Sequence, residues 1–200
     1  PRDHLEMLKD IKVFTINGPH ATTAYFGFLK GYKTIPDASA DPEIAALVNA
    51  VHDVTIKAVM LEYPQITREA LTDLEYLPKA TNELPDSIHR VAWDPIRKLA
   101  NRDRLMGVAH LCLKFGLDYT PIAKAIACGL PFYAPDVKAS VTVQQSLLSQ
   151  GLLATAATII GLPEDPENIR CVVKHYTDAG YSIQQYVSPP GQETLSPALY

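Results

Sequence analysis

The chain has 200 residues, a formal net charge of -4, 47% hydrophobic residues and 20% charged ones. That length can bury one full core; the balance excludes a disordered or fibrous chain; and the acidic charge, with no Lys/Arg cluster against it, excludes a nucleic-acid surface. No uninterrupted apolar run reaches the roughly 18 residues of a membrane span, so no membrane partner is expected.

In chain order the punctuation is helical. The opening PRDHLEML has neither leader nor initiating methionine and reads as an internal stretch of a longer protein. IKVFTI is the one strand candidate, and it fits a helical turn equally well. Asn17 is placed as the cap of a helix with Gly18 and Pro19 in its first turn, running to about Lys30 and closed by Gly31. On that reading no unbroken helix joins Lys12 to His20, and Lys12 lies on an extended or differently turned segment. Asp41-Pro42 opens a helix with Ile44, Leu47, Val48, Val51, Val54 and Val59 mostly on one face, ending before Pro64. Thr67 caps a short helix through Leu77. Asp94-Pro95 opens the stretch IRKLANRDRLMGVAHLCLKFG, closed by Gly116. Thr120-Pro121 opens the next helix, Asp136 starts one ending near Gly151, and LLATAATIIG follows. Asp165-Pro166 opens the last long helix, ended by Gly180. The tail from Ser188 is rich in proline and polar residues. The expected fold is all-α, with residues 1–187 as one helical domain and 188–200 as a loose tail.

Cys112, Cys128 and Cys171 are odd in number and lack metal-type spacing, so reduced thiols in a cytoplasmic setting are expected. No His/Cys/Asp cluster suggests a metal, and no G-x-G-x-x-G suggests a dinucleotide site. The chemistry-bearing set is Lys12, Asn17 and His20. It suits oxidation of an alcohol, or reduction of a carbonyl, without a metal. A base must take the hydroxyl proton as hydride leaves carbon, and it works best with a pKa near the working pH. Free lysine, at about 10.4, is too basic; burial and neighbouring cations bring it down. An asparagine amide can donate to the developing alkoxide, and a histidine can hold a neighbouring hydroxyl. The same residues also admit a plain reading: a solvated lysine, a helix cap and a packed imidazole. His4, His52, His89, His110 and His175 are scattered and read as structural or surface residues.

The segment KVFTINGPHATTAYFGFLKGYKTI resembles the opening of the C-terminal domain of the polyol-specific long-chain dehydrogenases, and most closely the mannitol-1-phosphate 5-dehydrogenases, with their K-L-F-T-L-N-x-x-H-A-x-x-A-Y-x-G. The likeness continues through DPEIAALV and IHRVAWDPIRKLANRDRL, remains in IAKAIACGLPF and fades after about Ala134. It implies a multi-helix substrate domain of the 6-phosphogluconate-dehydrogenase-like type, with Lys12 as general acid/base, Asn17 stabilising the oxyanion and His20 holding a substrate hydroxyl. It implies that Arg90 and Lys98 are cations lining the polyol site, although HRVAWDPIRK can also be read as a solvated charged face. Arg97, Arg102 and Arg104 are further cations: one could meet a phosphate, and Arg104 could equally pair with Asp103 or Asp94. The resemblance further implies NAD, bound mainly by an N-terminal Rossmann-type domain that this sequence does not contain and that would be the chain's partner. The implied reaction interconverts mannitol 1-phosphate and fructose 6-phosphate. Free mannitol, or a hexuronate-derived sugar acid, is the alternative substrate on the same fold; a non-catalytic helical binding module is the alternative outside enzymes.

Overall fold

The computed structural model describes residues 2–75, 86–160 and 166–181. These form α1 (Arg2–Lys12), a π-helical turn (Val13–Asn17), α2 (Gly18–Leu29), α3 (Ile35–Ser39), α4 (Pro42–Glu62), α5 (Arg68–Glu75), α6 (Ile88–Ala92), α7 (Pro95–Lys98), α8 (Met106–Phe115), α9 (Thr120–Gly129), α10 (Lys138–Ile160) and α11 (Pro166–Asp178). The fold is all-α. The pairing of extended backbone among the described residues is one isolated antiparallel bridge, Thr34 to Ser87.

Helix α2 is the hub: it packs on α3, α4, α6 and α9. Two glycines let it approach closely. A Cβ on Gly27 would stand 2.8 Å from both Ala38 Cβ and Ile88 Cδ1, so α2 meets α3 and α6 almost backbone to side chain. Gly129 of α9 does the same against Leu99 and Tyr25. Around this axis Tyr25, Ile44, Leu99, Leu105, Ile122 and Phe132 are fully buried. Helix α4 is the one described helix long and apolar enough to cross a membrane by length and composition, with a mean hydropathy of 1.5 over its best window. It packs on α2, α8 and α9 as a core helix.

Several caps form where the sequence puts them. Asp41 accepts from the N–H groups of Glu43 and Ile44, and Thr67 accepts from that of Ala70. Gly31, Gly116 and Gly180 close their helices at φ 83°, 66° and 68°. The expected continuation to Leu77, the Asp165 cap and the tail from Ser188 lie outside the described residues.

Three expectations need correction. Asn17 is not a cap: its φ of -76° and ψ of -25° are helical, and its side chain makes no capping hydrogen bond. The helix runs from α1 through the π turn into α2, because Met7, Ile11 and Phe14 already bury an apolar stripe upstream. IKVFTI is therefore helical. The stretch after Asp94-Pro95 is not one helix: α7 lasts four residues, then turns lead to α8. Asp103 accepts from the Arg104 N–H, the local side-chain competition that makes Asp and Asn poor helix interiors. Finally, α10 begins at Lys138 rather than Asp136, whose carboxylate is engaged with His89 at 3.0 Å. Gly151, at φ 79°, breaks α10 where the helix was expected to end.

Candidate active site

The π turn governs the geometry of the motif. Pro19 has no N–H, and in a plain helix its ring would collide with the carbonyl four residues back. The chain widens instead: the Gly18 N–H reaches the Val13 carbonyl, five residues back. In an ordinary α-helix residues five apart diverge by about 140°. Across a π turn they stand one turn apart, so Lys12 and Asn17 come to the same side. His20, three residues further along α2, continues that face. The turn is gripped from both sides. A Cβ on Gly107 would stand 2.5 Å from the Phe14 ring edge, and one on Gly18 would stand 3.1 Å from the Arg104 carbonyl oxygen. Lys12 is exposed at the end of α1, and Asn17 and His20 are half-buried.

Across from α2, the short helix α6 carries Arg90. Ser87 caps it by accepting from the Arg90 N–H at 3.1 Å. The Arg90 guanidinium pairs with Asp86, and the other oxygen of Asp86 lies 3.6 Å from His20 Nε2. Asp86 was not among the residues singled out from the sequence. Its only signal there is its place before the Ser87 cap, a common surface pattern, and its link to His20 spans 66 residues.

Lys98 ends α7 as a buried cation, 7% exposed. Its Nζ donates to the Val91 carbonyl, near the C-terminus of α6, where a cation is favoured. Burial, with Arg104 and Arg97 nearby, lowers its pKa to about 8. Arg97 and Arg104 are committed to carboxylates: Arg97 to Asp94 at 3.2 Å and Asp103 at 3.7 Å, and Arg104 to Asp103 at 2.6 Å. For Arg104 the structural reading is the observed one. Arg102 is exposed.

The structure thus joins Lys12, Asn17 and His20 along one helix, and joins His20 to Arg90 through Asp86. Lys98 is buried and bonded to the carbonyl of Val91, the residue after Arg90. A cavity of about 530 Å³ elsewhere, lined by Phe26, Leu47, Lys124, Cys128 and His175 among others, contains none of these five residues. Among the described residues there is no group of three His, Cys, Asp or Glu side chains able to hold a metal. Cys112, Cys128 and Cys171 are free, and burial pushes the Cys112 and Cys128 thiols up to about 11.

The described residues thus form an all-helical domain with a lysine, an asparagine and a histidine along one helix. Residues 4–169 match the model of the mannitol dehydrogenase C-terminal domain, and the chain belongs to that family. It is 34% identical over 181 residues to a mannitol-1-phosphate 5-dehydrogenase of Thermoanaerobacter pseudethanolicus, covering 88% of this chain and 46% of that protein. It is likewise 34% identical over 167 residues to the enzyme of that name from Clostridium acetobutylicum, covering 81% and 43%. The chain therefore spans less than half the length of these relatives. The fold is similar to that of Pseudomonas fluorescens mannitol 2-dehydrogenase, solved as a ternary complex with NAD and D-mannitol: the TM-score is 0.61, the identity 22%, and the match covers 87% of this chain and 38% of that one.

Proposed function

We propose that this chain is the substrate-binding and catalytic domain of an NAD-dependent polyol-phosphate dehydrogenase that interconverts mannitol 1-phosphate and fructose 6-phosphate. What supports the reading most is the π turn, which brings Lys12 and Asn17 one turn apart on a chain of this family. In the oxidative direction Lys12 takes the proton of the reacting hydroxyl and returns it in the reverse direction. Asn17 donates its amide to the oxygen as negative charge builds there. His20 holds an adjacent hydroxyl, and Arg90 and Lys98 supply positive donors for further hydroxyls or the phosphate.

The described residues offer no glycine-rich strand–turn–helix to cradle a dinucleotide, so cofactor binding is assigned to an N-terminal Rossmann-type domain as partner. NAD held there supplies hydride acceptance; the proton and the hydroxyl contacts are the work of this chain. Three unpaired thiols suit a reducing, cytoplasmic setting.

The test is the full-length gene product assayed with NAD on mannitol 1-phosphate, mannitol and hexuronate-derived acids. Mannitol 1-phosphate should be the preferred substrate by kcat/KM. Arg90→Ala and Lys98→Ala should each lower kcat/KM on it roughly ten- to hundred-fold, mostly through KM, as expected for a lost charge-assisted hydrogen bond. If either residue holds the phosphate, its loss should be nearly silent on mannitol. Preference for mannitol or a sugar acid would overturn the substrate, and no activity on any of the three would overturn the reading.

A further inference from the structure

We propose that Asp86 is a positioning residue, a carboxylate fixed by the backbone that holds His20 and Arg90 together as one substrate-gripping unit; this rests on the roles given to those two residues above. Asp86 is firmly set by its backbone. Its carbonyl accepts from the Ile35 N–H at 2.8 Å, and two residues on the Ile88 N–H donates to the Lys33 carbonyl at 2.9 Å. Between them Ser87 forms the bridge to Thr34 and caps α6. The Ile88 side chain is 3% exposed and lodges in the notch left by Gly27 of α2. Segment 86–88 is thus tied on one side to the α2–α3 connection and on the other to the face of α2 itself.

From that anchorage the carboxylate reaches both ways. One oxygen takes Arg90, a turn further along α6, and the other faces His20 Nε2 in the first turns of α2. The two residues come from elements 70 positions apart, and Asp86 is the charged group that stands between them. The Arg90 side chain is 63% exposed, so it has little packing of its own to hold it. An exposed ion pair of this kind adds little to stability. Its worth lies in orientation: a carboxylate 3.6 Å from Nε2 draws that edge of the ring towards Asp86 when the imidazole is protonated, and a paired guanidinium presents its remaining donors in a set direction. Contacts made equally in the ground and transition states act on substrate capture, so losing this alignment should show in KM.

The test uses the full-length gene product. Asp86→Asn keeps the shape and removes the charge. It should raise KM for the polyol phosphate about tenfold while changing kcat less than about threefold. Asp86→Glu, which keeps the charge, should recover part of that loss, a result that a merely structural role would not give. In an Arg90→Ala background, Asp86→Asn should have a clearly smaller effect than in the wild type, because one of its two partners is already gone. Native KM in Asp86→Asn, or effects that multiply independently, would overturn the proposal. A crystal structure of Asp86→Asn gives a readout that does not depend on activity: Arg90 should leave its position and the His20 ring should turn. If both stay in place, Asp86 is not the holder, even in an active enzyme; if both move in a protein without polyol activity, the tie stands and the assigned reaction falls.

Discussion

Lys12 and Lys98 are two lysines in opposite surroundings, and each carries its own test. Lys12 is exposed on this chain, where an ammonium is well solvated. In the proposed reaction it is the proton carrier. Lys12→Ala in the full-length protein should therefore cut kcat about 10²–10⁴-fold, the usual worth of a positioned acid/base. A small primary amine in the assay should restore part of the rate. Near-native kcat across pH would remove Lys12 from the role. Lys98 is buried, with a pKa near 8 against an ordinary 10.5. Its charged form is disfavoured by folding, so the unfolded chain binds the proton more tightly, and this residue costs stability most fully below pH 8. The cost should fade as pH rises from about 8 towards 10.5. Urea melts of Lys98→Met should show a gain over wild type at pH 7 that shrinks by pH 9.5. A pH-independent gain would mean that packing, not charge, is what changed. That Lys98 is buried could not be read from IRKLANRDRL, in which it is one cation among several.

At the scale of the element, the helix starts and stops were mostly legible because they are short-range chemistry. Asp41-Pro42, Thr67, Gly31 and Gly116 announce themselves within a few residues, and the structure uses each. The misreading at Asn17-Gly18-Pro19 has the same origin. The triplet is a good cap when read locally, but burial of Met7, Ile11 and Phe14 upstream favours continuing the helix, and that burial depends on partners far along the chain. Gly107 is one of them. Gly107→Ala would place a methyl about 2.5 Å from the Phe14 ring, where no room exists. Such overpacking typically costs 1–3 kcal/mol. Because Phe14 lies within the π turn, the variant should also lower kcat in the full-length protein more than it lowers thermal stability alone would predict. Circular dichroism melts beside steady-state rates would check this, and a destabilised but fully active variant would uncouple Phe14 packing from the motif.

For the whole molecule, the all-α architecture follows from repeated cap-and-proline signals and the lack of alternating strands. What no local pattern revealed is the arrangement about α2, set by contacts between residues dozens of positions apart, such as Gly27 with Ile88 and Gly129 with Tyr25. The same distance effect hid Asp86. Lys12, Asn17 and His20 could be grouped as a candidate motif because they lie within nine positions. The proposed division of labour between domains also makes a prediction for residues 1–200 alone. They should show no appreciable binding of NADH in a calorimetric titration, because they lack the glycine-rich turn that normally seats a pyrophosphate on a helix N-terminus. Low-micromolar binding would place a cofactor site on this domain and redraw the assignment.

The widened turn before Pro19 has an evolutionary consequence. A π turn is in effect a one-residue insertion absorbed within a helix, and here it accommodates a proline that a plain helix would reject. Extra residue and proline form a compensating pair, harmful or neutral according to whether the other is present. Acquiring the proline first means passing through a helix kinked or broken at a cost of about 3 kcal/mol. Acquiring the extra residue first passes through a bulged helix whose flanking segments keep their seats in the core. A history in which the extra residue comes first avoids that cost.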